Sequence, residues 1–219
     1  MSYHFRSHRE AFKRALLLFP PLFLAQIPEG LLNIIQKHFE THLAQTPVLA
    51  FSILYPLYCA SSAICSAISY TIIKDSGTTD LSFSYLIKKI VPHLRALILG
   101  SWILGVVMIP ATLALVFPGI WVLSHYQFLP FSIVDSSNSS LTSCFDSSKS
   151  VSLRNRTVSL LTAFSSFFIG LLSYLGFGMI SQASIHSSFA LGIEVVLGMI
   201  LSVFLTAWTA TLYQEASKP

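Results

Sequence analysis

The chain has 219 residues, of which 53% are hydrophobic and 10% charged, with a mean hydropathy of +0.70. Soluble domains carry about 25% charged residues, so this composition cannot supply the polar exterior of an ordinary soluble fold. The formal charge of +4 and the pI near 9.0 do not point to nucleic acid, because the charges sit in joints between apolar runs, where membrane topology accounts for them.

Residues 1–13 carry Arg6, Arg9 and Lys13 with His4 and His8. Basic residues before an apolar run are also the opening of a signal peptide, but Pro20-Pro21 interrupts the run and no A-x-A site follows. The run reads as a retained first span over about 14–36, kinked at Pro20, Pro21 and Pro28. Neighbouring helices can satisfy the carbonyls that such prolines free. A polar joint, Lys37 to Thr46, carries His38 and His42, whose spacing of four can chelate a metal but lacks a third ligand. Span two covers 47–73, and its stretch Ala60 to Ala67 is nearly all small residues, which permits close helix approach.

A turn around Gly77 follows, with Asp80 as a candidate N-cap. Phe83, Leu86, Ile87, Ile90 and Leu94 then recur at three-and-four spacing, which predicts a short amphipathic helix at the membrane surface. Span three runs over 92–117 and span four over 119–134. Phe117-Pro118-Gly119 between them predicts a tight hairpin, since proline cannot donate to a helix ladder and glycine takes angles closed to other residues. Pro118, Gly119 and Pro130 are therefore candidate hinges. At 1.5 Å per residue, span four reaches only about 24 Å, short of a hydrocarbon core near 30 Å.

The serine-rich joint from Asp135 to Arg156 still has helical order. Leu141, Cys144, Phe145, Ser148 and Val151 share one face after a cap at Ser139 or Ser140, which predicts a second interfacial helix. Spans five and six cover 157–180 and 188–213, before a short polar tail. Cys59 and Cys65 lie in an apolar run and Cys144 in a polar joint, with no disulfide or metal spacing. The expected fold is an all-α polytopic bundle. It is one integral membrane domain, residues 1–219, with six spans and interfacial helices before span three and after span four.

Basic residues set its orientation. Of the 13 Lys and Arg, a cytoplasmic N-terminus leaves only Lys37 outside, twelve against one. If span four failed to cross, Lys149, Arg154, Arg156 and Lys218 would change sides, giving eight against five. The count favours both termini in the cytoplasm.

Pro118, Gly119, Pro130 and Asp135, followed by the helix bearing Cys144, Phe145, Ser148 and Val151, make the second half of the chain resemble a group of uncharacterised bacterial membrane domains. These are the UPF0259 and DUF975 families and the membrane domain attached to some glycerophosphodiester phosphodiesterases. In that group a P-G turn precedes a span ending near a proline and an acidic residue, and a helix of pattern A-L-x-R-S-W-x-L-x-x-G follows. Lys149 stands where the pattern has Trp, and Arg154 where it has Gly. The resemblance implies a six-span helical fold of unknown activity in the bacterial inner membrane, with no catalytic residue to carry over.

Ionisable residues inside spans are functional candidates because a charge at mid-bilayer costs about 2.5–3.5 kcal/mol on insertion scales. Glu29, His125 and Glu194 lie at similar predicted depth and form a candidate intramembrane polar site. The alternative is that each glutamate is partly hydrated near the interface or paired with a local Ser or His. No G-x-S-x-G, H-E-x-x-H or P-loop is present, so neither an enzyme nor a cofactor is expected. The expected function is a non-catalytic membrane scaffold or envelope-maintenance protein binding lipids or another membrane protein. The alternative is a small transporter using intramembrane acidic residues.

Overall fold

The computed structural model describes residues 12–42, 47–76, 82–114, 116–136, 140–168 and 187–217. All secondary structure among them is helical. In chain order the helices are residues 12–17 (α1), Phe19–Ala25 (α2), Ile27–His42 (α3), Pro47–Asp75 (α4), Phe83–Ile90 (α5), a 3₁₀ turn Val91–His93, Leu94–Ala114 (α6), Val116–Tyr126 (α7), Leu129–Asp135 (α8), Leu141–Arg154 (α9), residues 156–168 (α10) and Ser187–Ala216 (α11). Among the described residues three stretches are long and apolar enough to cross a membrane: Pro56–Asp75, Phe83–Met108 and Gly192–Ala216.

Prolines explain why the first and fourth predicted spans are not single helices. Pro20 and Pro21 lie in the first turn of α2, and Pro28 in the first turn of α3, so the first span breaks at Leu18 and Gln26. Pro130 lies in the first turn of α8, and the fourth span breaks at Gln127-Phe128. A first-turn proline costs no hydrogen bond, because those N–H groups have no intrahelical partner. The same rule corrects the predicted hairpin. α6 runs to Ala114 and α7 begins by Val116, so Pro118 and Gly119 belong to the first turn of α7. Two further boundaries shift. The joint predicted from Lys37 is helical as far as His42, and Ser82 caps α5 by accepting from the Tyr85 N–H at 3.2 Å. Asp80 and Gly77 lie outside the described residues.

Cross-contacts give the helices their directions. Arg14 donates to Gln214 and Ser202 donates to Gln26, while Gly30 abuts Val195 and Met199, so α1–α3 run antiparallel to α11. α6 and α7–α8 form an antiparallel pair: a Cβ on Gly100 would lie 3.3 Å from Leu129, Ile133 and Leu141 side chains. The ends of α4, α8 and α11 meet in an aromatic cluster. There Tyr70 stacks on Phe131 at 4.9 Å, and Tyr213 packs edge-on to both.

That end of the bundle is also its charged end. Asp135 closes α8 onto α4, accepting from Tyr70 Oη at 2.7 Å and Lys74 Nζ at 2.6 Å. Asp75, the last residue of α4, accepts from Lys89 Nζ at 2.5 Å and Tyr85 Oη at 2.8 Å, which fixes α5.

Candidate functional site

Polar groups bind neighbouring helices at three proline sites: the break at Gln26, Pro56 inside the continuous α4, and the break at Gln127-Phe128. At the first, Gln26 is 1% exposed; its amide donates to Ser69 Oγ of α4 at 3.2 Å and its oxygen accepts from Ser202 Oγ of α11 at 3.1 Å. Within α4, the carbonyl of Pro56 accepts from Trp102 Nε1 of α6 at 3.0 Å. At the third, the His125 carbonyl lies in the last turn of α7, where a helix leaves its carbonyls without intrahelical partners. Ser148 and Ser152, one turn apart on α9, both donate to it at 3.1 Å. Ser132 donates to the Cys144 carbonyl at 3.0 Å, and Gln127 donates to the Ser159 carbonyl at 3.1 Å. An unpaired carbonyl in hydrocarbon costs several kcal/mol, so these contacts make an interrupted bundle tolerable.

α9 follows from its sequence. Ser140 accepts from the Ser143 N–H as N-cap, and Cys144, Ser148, Val151 and Ser152 form the buried face. Lys149, Ser150, Arg154 and Asn155 are exposed. Serine recurs here because it serves three uses: N-cap acceptor, donor to the helix's own carbonyls (Ser143 to Ser140, Ser150 to Ser147) and donor to α7.

The break at Gln127-Phe128 borders a cavity of about 400 Å³ between α4, α6, α7–α8 and α11. Tyr58, Ser62 and Ser66 line it from α4, Ser101 and Gly105 from α6, Gln127 and Pro130 from the broken turn, and Thr206 and Thr209 from α11. Among the described residues none that lines it is Asp, Glu, Lys, Arg or His. Several wall hydroxyls are already used: Ser101 donates to the Ile98 carbonyl and Thr209 to the Leu205 carbonyl. A hydroxyl turned back on its own helix offers a guest little beyond its carbon surface. The volume falls within the roughly 300–1,000 Å³ of small-molecule pockets.

The predicted polar residues occupy different surroundings. Glu29 Oε1 accepts from Tyr58 Oη at 3.1 Å, and Tyr58 lines the cavity. His125 is 6% exposed; its ring lies 4.3 Å from that of Trp121, and its Nδ1 is 2.8 Å from the Trp121 carbonyl. No hydrogen bond joins Glu29 to His125. Glu194 precedes Val195, whose side chain packs at Gly30, so Glu29 and Glu194 flank one contact between α3 and α11. Of the hinges, Pro130 lies beside a helix break, whereas Pro118 and the buried Gly119 are inside α7. Among the described residues no three His, Cys, Asp or Glu side chains gather as a metal site.

No protein-family model, curated protein or solved structure matches the chain. The residues missed by sequence reasoning are Gln26, Tyr58, Tyr70, Trp102 and Ser152. Gln26 had a local signal, as a polar residue two places before a proline in an apolar run. Tyr58 and Trp102 had none, because their partners are distant in sequence.

Proposed function

We propose that this chain is a six-span protein of the bacterial inner membrane, with both termini cytoplasmic, that holds a lipid chain and catalyses no reaction. The six passes are supported by parity. α8 and α11 both end at the charged end, and α11 has 30 residues, so it begins at the opposite end. Parity then calls for an odd number of crossings in residues 136–186, which this reading takes as one. The basic residues Arg14, Lys74, Lys88 and Lys89 lie at or near the charged end, which supports its cytoplasmic placement. The likeness of Pro130 and Asp135 to the uncharacterised bacterial group agrees with this reading.

The lipid assignment rests on one observation: among the described residues the cavity wall carries no ionisable acid or base of the Asp, Glu, Lys, Arg or His type. Such a wall suits an acyl or isoprenoid chain and gives an ion no counter-charge. Filling the cavity tests it. Ser66→Leu or Gly105→Leu, purified in mild detergent, is expected to retain several-fold less lipid by mass spectrometry, with unchanged helix content. Undiminished lipid in both variants would remove this function.

A second reading, a small transporter, is favoured by the Glu29–Tyr58 hydrogen bond, which links an intramembrane carboxylate to the cavity wall. Glu29→Gln separates the two. A lipid holder keeps its lipid in that variant, whereas a transporter loses flux at unchanged folding.

A further inference from the structure

Helix α5 divides its surface among three environments. Leu86 and Ile90 pack on the core, with Ile90 4% exposed, and Lys89 pairs with Asp75. Phe83, Ile87 and Val91 are 78%, 44% and 53% exposed. At 3.6 residues per turn they fall on one stripe about 80° wide, and the apolar exposure continues along α6 through Leu99, Trp102, Ile103 and Val106. Ser84, Lys88 and Arg95 are exposed on the next face round. This order of protein, apolar and cationic faces is that of a helix lying in a membrane interface.

Length and charge fix which lipid meets it. α6, Leu94–Ala114, has 21 residues, about 31 Å, which by itself matches a hydrocarbon core near 30 Å and leaves α5, the 3₁₀ turn and Arg95 at its edge. The end carrying Lys88 and Lys89 therefore projects into the headgroup layer. The neighbouring cations Lys74 and Lys89 are neutralised by Asp135 and Asp75. Among the described residues Lys88 and Arg95 are in no ion pair. They lie seven residues apart, on one face.

We propose that α5 and the turn after it form a binding surface for anionic phospholipid headgroups, with Lys88 and Arg95 facing the phosphates and Phe83, Ile87 and Val91 set into the acyl boundary. This surface does not depend on what occupies the cavity. A juxtamembrane cation contributes about five-fold in affinity for anionic lipid, so the pair supplies roughly 25-fold.

The test is competition between phosphatidylglycerol and phosphatidylcholine for the full chain, read by native mass spectrometry from mixed micelles. Lys88→Gln with Arg95→Gln is expected to lower the retained phosphatidylglycerol ratio at least ten-fold. Both residues are exposed, so folding should survive, and the melting temperature checks this. An unchanged ratio overturns the proposal, as does displacement of the lipid by millimolar inorganic phosphate, which would make the ligand a free anion. A second readout does not depend on lipid retention. A nitroxide on Ile87→Cys is expected to be relaxed by oxygen, and one on Ser84→Cys by a water-soluble nickel chelate. Nickel relaxation at Ile87 would place that face in water and end the proposal.

Discussion

The two serines on the His125 carbonyl show how a side chain can act through backbone satisfaction. Either Ser148 or Ser152 alone leaves that carbonyl with a donor. Single alanine substitutions are therefore expected to cost less than about 0.5 kcal/mol each, and the pair about 1–3 kcal/mol, since only the pair strands a buried acceptor. Unfolding of the detergent-solubilised protein measures this, and equal, additive losses would show that each serine has another role. Asp135 is a stricter case because Tyr70 and Lys74 both depend on it. Asp135→Asn keeps the shape and removes the charge. It is expected to loosen α8 from α4 by about 1–3 kcal/mol, more than an exposed ion pair is worth, because the Tyr70 hydroxyl belongs to a residue only 1% exposed.

At the scale of elements, α4 has two small-residue faces that differ in what they meet. Ala67 is 0% exposed in the packed core, whereas Ser66 borders the cavity. Ala67→Leu is expected to destabilise by about 1–3 kcal/mol through overpacking. Ser66→Leu has empty volume to enter and should be nearly silent in stability, as should Leu57→Ala on the 48% exposed side. A melt in which Ser66→Leu is the worst of the three would contradict this packing. The contrast between helices read well and badly has one cause. α4, α9 and α11 were legible because an uninterrupted apolar run or a capped three-and-four stripe decides a helix locally. The kinks at Pro20, Pro21 and Pro28 and the hinge at Pro130 were legible too, but each break falls ahead of its proline: Leu18 before Pro20, Gln26 before Pro28, Phe128 before Pro130. Proline suits a first turn and restricts the residue before it, so reading the Pro118-Gly119 pair as the turn itself placed the hairpin a few residues late. The candidate site was legible only as isolated residues. Glu29 stood out by its charge, but Tyr58 and the cavity arise from pairings that no local pattern encodes.

For the whole molecule, parity turns into a topology experiment. Reporter fusions after Thr46 and Ser184 are expected to read external, and fusions after Ser139 and at the C-terminus cytoplasmic. An external reading at Ser139 would break the parity between α8 and α11. Membrane-impermeant thiol reagents refine the result. Ser147→Cys and Ser150→Cys lie on the exposed face of α9 and should label from the cytoplasmic side alone, whereas native Cys144, 2% exposed, should not label until the protein unfolds.

The carbonyl of His125 also sets an order of events during synthesis. Its two donors lie in α9, so a nascent chain exposed only as far as Asp135 holds an α7 in whose final turn the His125 carbonyl has no donor. Hydrocarbon rejects such a turn, and α7 has to stay in the translocon or at the water boundary until Arg154 has emerged. At about 5–20 residues per second that interval lasts roughly one to four seconds. Ribosome-stalled chains whose exposed portion ends near Asp135 should therefore remain crosslinked to the insertion machinery, and those exposing all of α9 should be released into lipid.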